Sequence, residues 1–219
     1  MPASAAHDPH SSEAAMSYPL SLMSLVVAGE LLLGIAPKAD RITWLMENAP
    51  VFVLLPLAVL LQPKLKLSNF TLTVMAIHAL VLMIGGHYTY AKVPVGFWVQ
   101  DALDLGRNHY DRFGHVMQGF APAVVLRELL IKTTPLRRGF LLNLTVVSMC
   151  LAFSALYELI EWWAALVLGA GADAFLGAQG DLWDTQWDMF LALVGASAAI
   201  MIAAPFQDRA LRHAERRAR

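Results

Sequence analysis

Asp111 and His115 stand four residues apart, as do Ser154 and Glu158, and as do Asp184 and Asp188. Residues three or four apart share a helix face. Asn108, Asp111, His115 and Gln118 therefore form one polar stripe, and Ser154, Glu158 and Glu161 a second. Asp181, Asp184 and Asp188 form a third if the last apolar helix starts early. Carboxylates and imidazoles on adjoining helix faces are the ligand set of a divalent cation, and the same groups can store and pass protons. Ionisable groups in hydrocarbon are costly to hold, which makes such a cluster a pointer to function.

The candidate metal ligands are His87, Asp111, His115, Glu158, Asp181, Asp184 and Asp188. A divalent metal held there, of unspecified identity, would acidify a bound water or polarise a phosphoryl or acyl oxygen. Glu161 would take the proton, with Tyr157 a turn away, and Arg112 would grip an anionic headgroup. Compensation is needed in any case, because a midplane Asp, Lys or Arg costs ~2.5 to 3.5 kcal/mol on an insertion scale. Positive partners are few: Arg107, Arg112, His87, His109 and His115. A metal balances the remaining acids; the rivals are protonated acids bonded to each other and a purely structural ion network. No nucleophile motif, phosphate loop or dinucleotide fingerprint narrows the reaction class.

The elements that must position these residues are apolar. Of 219 residues 58% are hydrophobic and only 15% charged, against ~25% charged in an ordinary globular domain, and mean hydropathy is +0.54. The expected fold is all-α, a polytopic membrane bundle. A bilayer core needs roughly 20 apolar residues per helix, which divides the chain into about six transmembrane helices over 18–36, 44–61, 69–90, 108–131, 139–168 and 186–206. Residues 1–17, with no Lys or Arg ahead of the apolar run, read as a disordered leader rather than a cleaved signal. Residues 18–206 form one transmembrane domain, and 207–219 a basic tail. The fourth span carries Asp111, Arg112, His115, Arg127 and Glu128, which only a bundle that hides them from lipid would tolerate.

Lys64, Lys66, Arg127, Lys132, Arg137, Arg138 and the arginines of the tail collect on one side of that topology. Positive flanks stay cytoplasmic, so both termini are expected inside and the acidic cluster outside. The tail is basic enough to lie on anionic headgroups, or it serves as a plain stop-transfer anchor. With 16 Lys+Arg against 17 Asp+Glu there is no basic field for nucleic acid; the expected partners are membrane lipids and a lipid or envelope-linked substrate. Cys150, alone of its kind, reads as a small buried hydrophobe, and most tryptophans near the cluster as an interfacial belt. His78, out of phase with His87, reads as a satisfied structural histidine. Glu30 and Glu47 have no visible partner and receive no role.

The stretches HYTYAKVP at 87–94, RNHYDRFGH at 107–115, YELIEW at 157–162 and QGDLWDTQWDM at 179–189 resemble the bacterial YjdF-type inner-membrane family, a group of unknown function. The resemblance implies a small multispanning inner-membrane protein and brings no activity with it. More distantly, Asp111-Arg112-x-x-His115, then Tyr157-Glu158-x-x-Glu161, then Asp184 or Asp188 followed by Gly195 is similar to the VanZ-like proteins. This chain departs from them in having Glu161 where they carry Gln, and Met189 where they carry Asn. Beside a metal-dependent hydrolase or transferase, two further functions fit the residues. One is a proton- or cation-coupled carrier, for which only Gln118, Arg127 and Glu128 would continue the path inward; the other is a non-enzymatic membrane factor.

Overall fold

The computed structural model describes residues 9–169, 176 and 178–217, and among them helices are the only regular elements. They are α1 (Pro9–Ile35), α2 (Arg41–Glu47), α3 (Ala49–Leu65), α4 (Asn69–Tyr88), α5 (Pro94–Leu103), α6 (Tyr110–Thr133), α7 (Phe140–Leu168), α8 (Asp184–Ala198) and α9 (Ala204–Arg217). Their starts follow local chemistry. Asp40 caps α2 by accepting the Ile42 and Thr43 N–H groups at 3.0 Å each, and Ser68 Oγ accepts the Thr71 N–H at the head of α4. Proline in the first turn opens α3 and α5, where its missing N–H is no loss.

Four helical stretches are long and apolar enough to cross a membrane: 18–35, 69–88, 140–167 and 184–216. A fifth forms if α2 and α3, bent by 45° at Asn48, count as one span. The fourth expected span, α6, is long enough but too polar to qualify by composition. It survives because α4, α7 and α8 enclose it, leaving Asp111, His115, Arg127 and Glu128 all buried.

Contacts between helix ends sort the bundle into two ends. At the basic end, Tyr18 meets Thr73, Lys132 reaches the carbonyls of Leu65 and Lys66, and Gln207 meets Thr71. At the acidic end, His87 meets Leu33 and Arg107 meets Asp184. Between them lies an apolar core of Val74, Ala121, Ala123, Val124, Leu142, Val146, Cys150, Ala196, Ala199 and Ala203. Cys150 is thus the small buried hydrophobe expected, and free. Along α7 the buried face runs Leu142, Val146, Cys150, Ser154, Glu158, so one helical stripe turns from apolar to polar as it nears the acidic end.

Several sequence expectations change. Residues 9–17 are helical, as the first turns of α1, and 1–8 lie outside the described residues. The last span starts at Asp184, passes through a π-helical turn at Ala199–Ala203 and continues as α9, so the tail through Arg217 is helical. Residues 218–219 and the 170–175 part of the preceding loop are not described. His78 is buried, but its Nε2 has no hydrogen-bond partner; it lines an apolar cavity among α1, α3 and α4 and is not satisfied. A single histidine in a sequence does not reveal what its ring will face.

Candidate functional site

The acidic end is assembled at the crossing of α6 and α8. A Cβ added to Gly119 would collide with the carbonyl oxygen of Ala192, and one added to Gly195 with that of Val116, so these two glycines let the backbones touch. One to two turns farther toward the acidic end, that approach brings Asp111 and His115 of α6 against Asp188 of α8. His115 Nε2 lies 3.6 Å from Asp111 Oδ1 and 3.7 Å from Asp188 Oδ1. One ligand atom from each of the three falls within 4.8 Å of the others, the only such group of three or more among the described residues. All three side chains are buried.

Glu158 of α7 closes the third side. It is buried, accepts a hydrogen bond from Thr185, and keeps Oε1 without a partner. Glu161, one turn along, has Glu158, His115, Asp111 and Asp188 as its charged neighbours. Tyr157 lies in charge range of Glu161 and Asp111. Of the residues named from the sequence, Asp111, His115 and Asp188 come together within one ligand sphere, and Glu158 and Glu161 lie in charge range of them.

Asp184, Asp181, Arg107 and Arg112 form a separate rim. Arg107 reaches Asp184 Oδ1 at 3.1 Å and Asp181 Oδ2 at 3.5 Å, and it also donates to the Ala178 carbonyl. Arg112 binds Asp181 Oδ2 at 2.5 Å with its guanidinium 5.1 Å from the Trp187 ring centre. Asp181 Oδ1 accepts the Trp183 N–H. Asp181 thus stands outside the three-residue group, because it precedes α8 and its carboxylate is committed to two arginines. Arg112, expected to face a headgroup, is committed to Asp181 and Trp187.

His87 is the clear departure. Its Nδ1 is 2.8 Å from the Leu33 carbonyl, and its own carbonyl accepts the N–H groups of Lys38 and Ala39. It ties α4 to the α1–α2 turn. Gly85, two residues earlier, faces α6 through the Tyr90 ring packed between it and Gly114, and two residues of helix turn a side chain to the opposite face. Asn108, expected in the α6 stripe, instead closes the loop before it: Nδ2 donates to the Val93 carbonyl and Oδ1 accepts the Tyr110 N–H.

Glu47 was left without a role by its sequence and belongs beside this site. It is 2% exposed, accepts the Thr89 hydroxyl at 2.6 Å, and counts Asp111 among its charged neighbours. Tyr90 and Tyr157, neighbours of each other, both lie in charge range of Glu47 and Asp111. The sequence carried no signal for this role; the structure marks it at Thr89, whose backbone (φ 64°, ψ 133°) is one that a β-branched residue rarely adopts without support. Glu30 is buried as well, with neither carboxylate oxygen hydrogen-bonded.

The polar groups at the basic end offer a contrast. Glu128, fully buried, accepts from the Ser68 N–H and hydroxyl, the Thr71 hydroxyl and Lys132. Arg127 holds Asp208 through two hydrogen bonds near 3.0 Å and also donates to Gln207, which donates to Thr71 and the Val124 carbonyl. There, nearly every buried polar side-chain atom has a partner. At the acidic end His115 Nδ1, Asp188 Oδ1, Glu158 Oε1 and Ser154 Oγ make no hydrogen bond among the described residues.

A bundle of membrane-length helices around a charged central helix defines the class: a multi-pass helical membrane protein. The chain belongs to the family described as "Predicted membrane protein (DUF2238)", whose match spans residues 18–209. It is 50% identical over 173 residues to "Inner membrane protein YjdF" of Escherichia coli (strain K12), which covers 79% of this chain and 83% of that protein. The resemblance to the YjdF-type family thus holds, and with it an inner-membrane location. Neither match concerns VanZ-like proteins, so that likeness carries no further argument. No solved structure matches.

Proposed function

We propose that the acidic end is an outward-facing divalent-cation site, in a protein that crosses the inner membrane six times with both termini in the cytoplasm and acts on a lipid or envelope-linked substrate. The observation that supports it best is the concentration of buried, unpartnered acceptors around His115, next to a basic end where the same kinds of group satisfy one another. Unsatisfied buried carboxylates need a counter-charge. Arg107 and Arg112 are engaged by Asp181 and Asp184, leaving His115, among the described residues, as the basic side chain beside Asp111, Asp188, Glu158 and Glu161.

Asp111, His115 and Asp188 would hold the ion, with Glu158 the next candidate. A bound ion would supply Lewis acidity and counter-charge. Glu161, in the same charge field but outside the three-residue group, would exchange a proton with a substrate atom, and Tyr157 would orient it. The carrier reading has less support, because the polar network at the basic end is closed on itself and separated from the site by the apolar core.

Elemental analysis of the purified protein in mild detergent tests this, with wild type beside His115→Ala and Asp188→Asn. About one divalent ion per folded chain, lost in both variants, is the expected result. A well-folded wild type free of metal after dialysis against manganese, zinc or magnesium overturns it.

A further inference from the structure

The basic end carries a second site, which the outward-facing cluster does not use. The buried face of α9 is formed by Gln207, which is fully buried, and Leu211, one turn on. The opposite face presents Arg209, Arg212, His213 and Arg216, all exposed, around a notch of about 190 Å³. Their charge is uncompensated. The acids described at this end are Glu128, which takes Lys132, Asp208, which takes Arg127 and Arg138, and Glu215, which takes Arg138 at 3.4 Å. Arg209 makes only a contact with the Phe206 ring, 5.9 Å to its centre. No ion pair engages Arg212, His213 or Arg216 among the described residues.

The position of this face says what it meets. α8 runs without a break through the π-helical turn into α9, and Phe206, 55% exposed, marks the last large apolar residue before the arginines begin. A long guanidinium stem can lie along the hydrocarbon edge with its head at phosphate level. We infer that the Arg209–Arg212–His213–Arg216 face of α9 is a binding site for the phosphate of an anionic phospholipid at the membrane surface where the span ends. Arginine suits a phosphate because its forked donors match two oxygens at once. The network beneath it supports the helix: Arg127–Asp208 and Gln207–Thr71 fix α9 against α6 and α4, so the arginines are held in place rather than left on a loose tail.

The test uses the full chain in nanodiscs or mild detergent, reading thermal unfolding and lipid retention by native mass spectrometry. Phosphatidylglycerol should raise the midpoint and be retained where phosphatidylcholine is not, and the effect should fade as salt rises. At about 1 kcal/mol per arginine near a charged surface, the triple variant Arg209→Gln, Arg212→Gln, Arg216→Gln should bind phosphatidylglycerol on the order of 100-fold more weakly. Its midpoint in phosphatidylcholine alone should match wild type, since none of the three holds a buried partner. Inorganic phosphate alone should not reproduce the stabilisation, because a free ion lacks the acyl chains that hold it at this depth. Equal retention of both lipids, a preference that survives the triple substitution, or stabilisation by inorganic phosphate equal to that by phosphatidylglycerol overturns the proposal.

Discussion

Asp188 of α8 stands 3.7 Å from His115 of α6, and that distance is set deeper in the bundle, one turn along α6 at Gly119 and two turns along α8 at Gly195, where the two backbones touch. The neighbours of each missing Cβ are main-chain atoms, which cannot swing aside as a flexible side chain would. Gly119→Ala or Gly195→Ala should therefore wedge the helices apart and destabilise the fold by about 1–3 kcal/mol. Thermal unfolding in detergent reads the loss, and metal retention should fall with it although neither glycine is a ligand. Unchanged stability in both variants would mean that the crossing has slack.

Glu128 makes the opposite prediction. Its carboxylate gathers Ser68, Thr71 and Lys132, and Lys132 is exposed enough to regain water when the acid is removed. The loss in Glu128→Ala is then that of the half-buried Ser68 and buried Thr71 donors, about 1–3 kcal/mol. Metal content per folded chain should stay at the wild-type value. Loss of metal from this variant would connect the two ends and favour a continuous polar path.

Asp40 offers a pH dependence outside the spans. The Thr43 hydroxyl, followed by the Thr43 and Ile42 N–H groups, holds its carboxyl below the ordinary aspartate range. A folded-state value lower than the unfolded one contributes stability above the ordinary carboxylate range and loses it as pH falls through the lowered value. Asp40→Ala should cost about 0.5–2 kcal/mol at neutral pH, the usual worth of an N-cap, and the gap to wild type should narrow on acidification. Melting curves at neutral and acidic pH measure it; a gap that widens in acid would contradict the assignment.

How much of this was legible beforehand depends on what kind of contact was asked about. Helical spacing sufficed to align Asp111 with His115 and Ser154 with Glu158, because the period of a helix is a property of the chain alone. Whether two stripes face one another depends on helix rotation, which distant packing decides. His87 was lost for that reason: it sits near the right end of α4, on the face turned to α1. Glu47 was missed for the converse reason, since the short α2 and the bend at Asn48 turn an apparently isolated acid inward. That bend needs Gly86, where a Cβ would collide with the Asn48 amide, a requirement written 38 positions away from the turn it permits.

Glu47 also yields the sharpest separation between a ligand and a support. Thr89 holds an unfavourable backbone conformation while its hydroxyl binds Glu47 at 2.6 Å, so the acid helps to hold the corner between α4 and the 3-10 turn at Tyr90–Lys92. Glu47→Ala removes the acceptor and should lower stability by about 1–3 kcal/mol. Glu47→Gln keeps an acceptor oxygen and should recover most of that loss. Because Glu47 lies outside the Asp111–His115–Asp188 group, both variants should bind the proposed divalent ion as wild type does. If Glu47→Gln folds normally and loses the metal, the site extends through Tyr90 and Tyr157 to α2, and the ion sits deeper between α2, α6 and α7 than the three-residue group alone would place it.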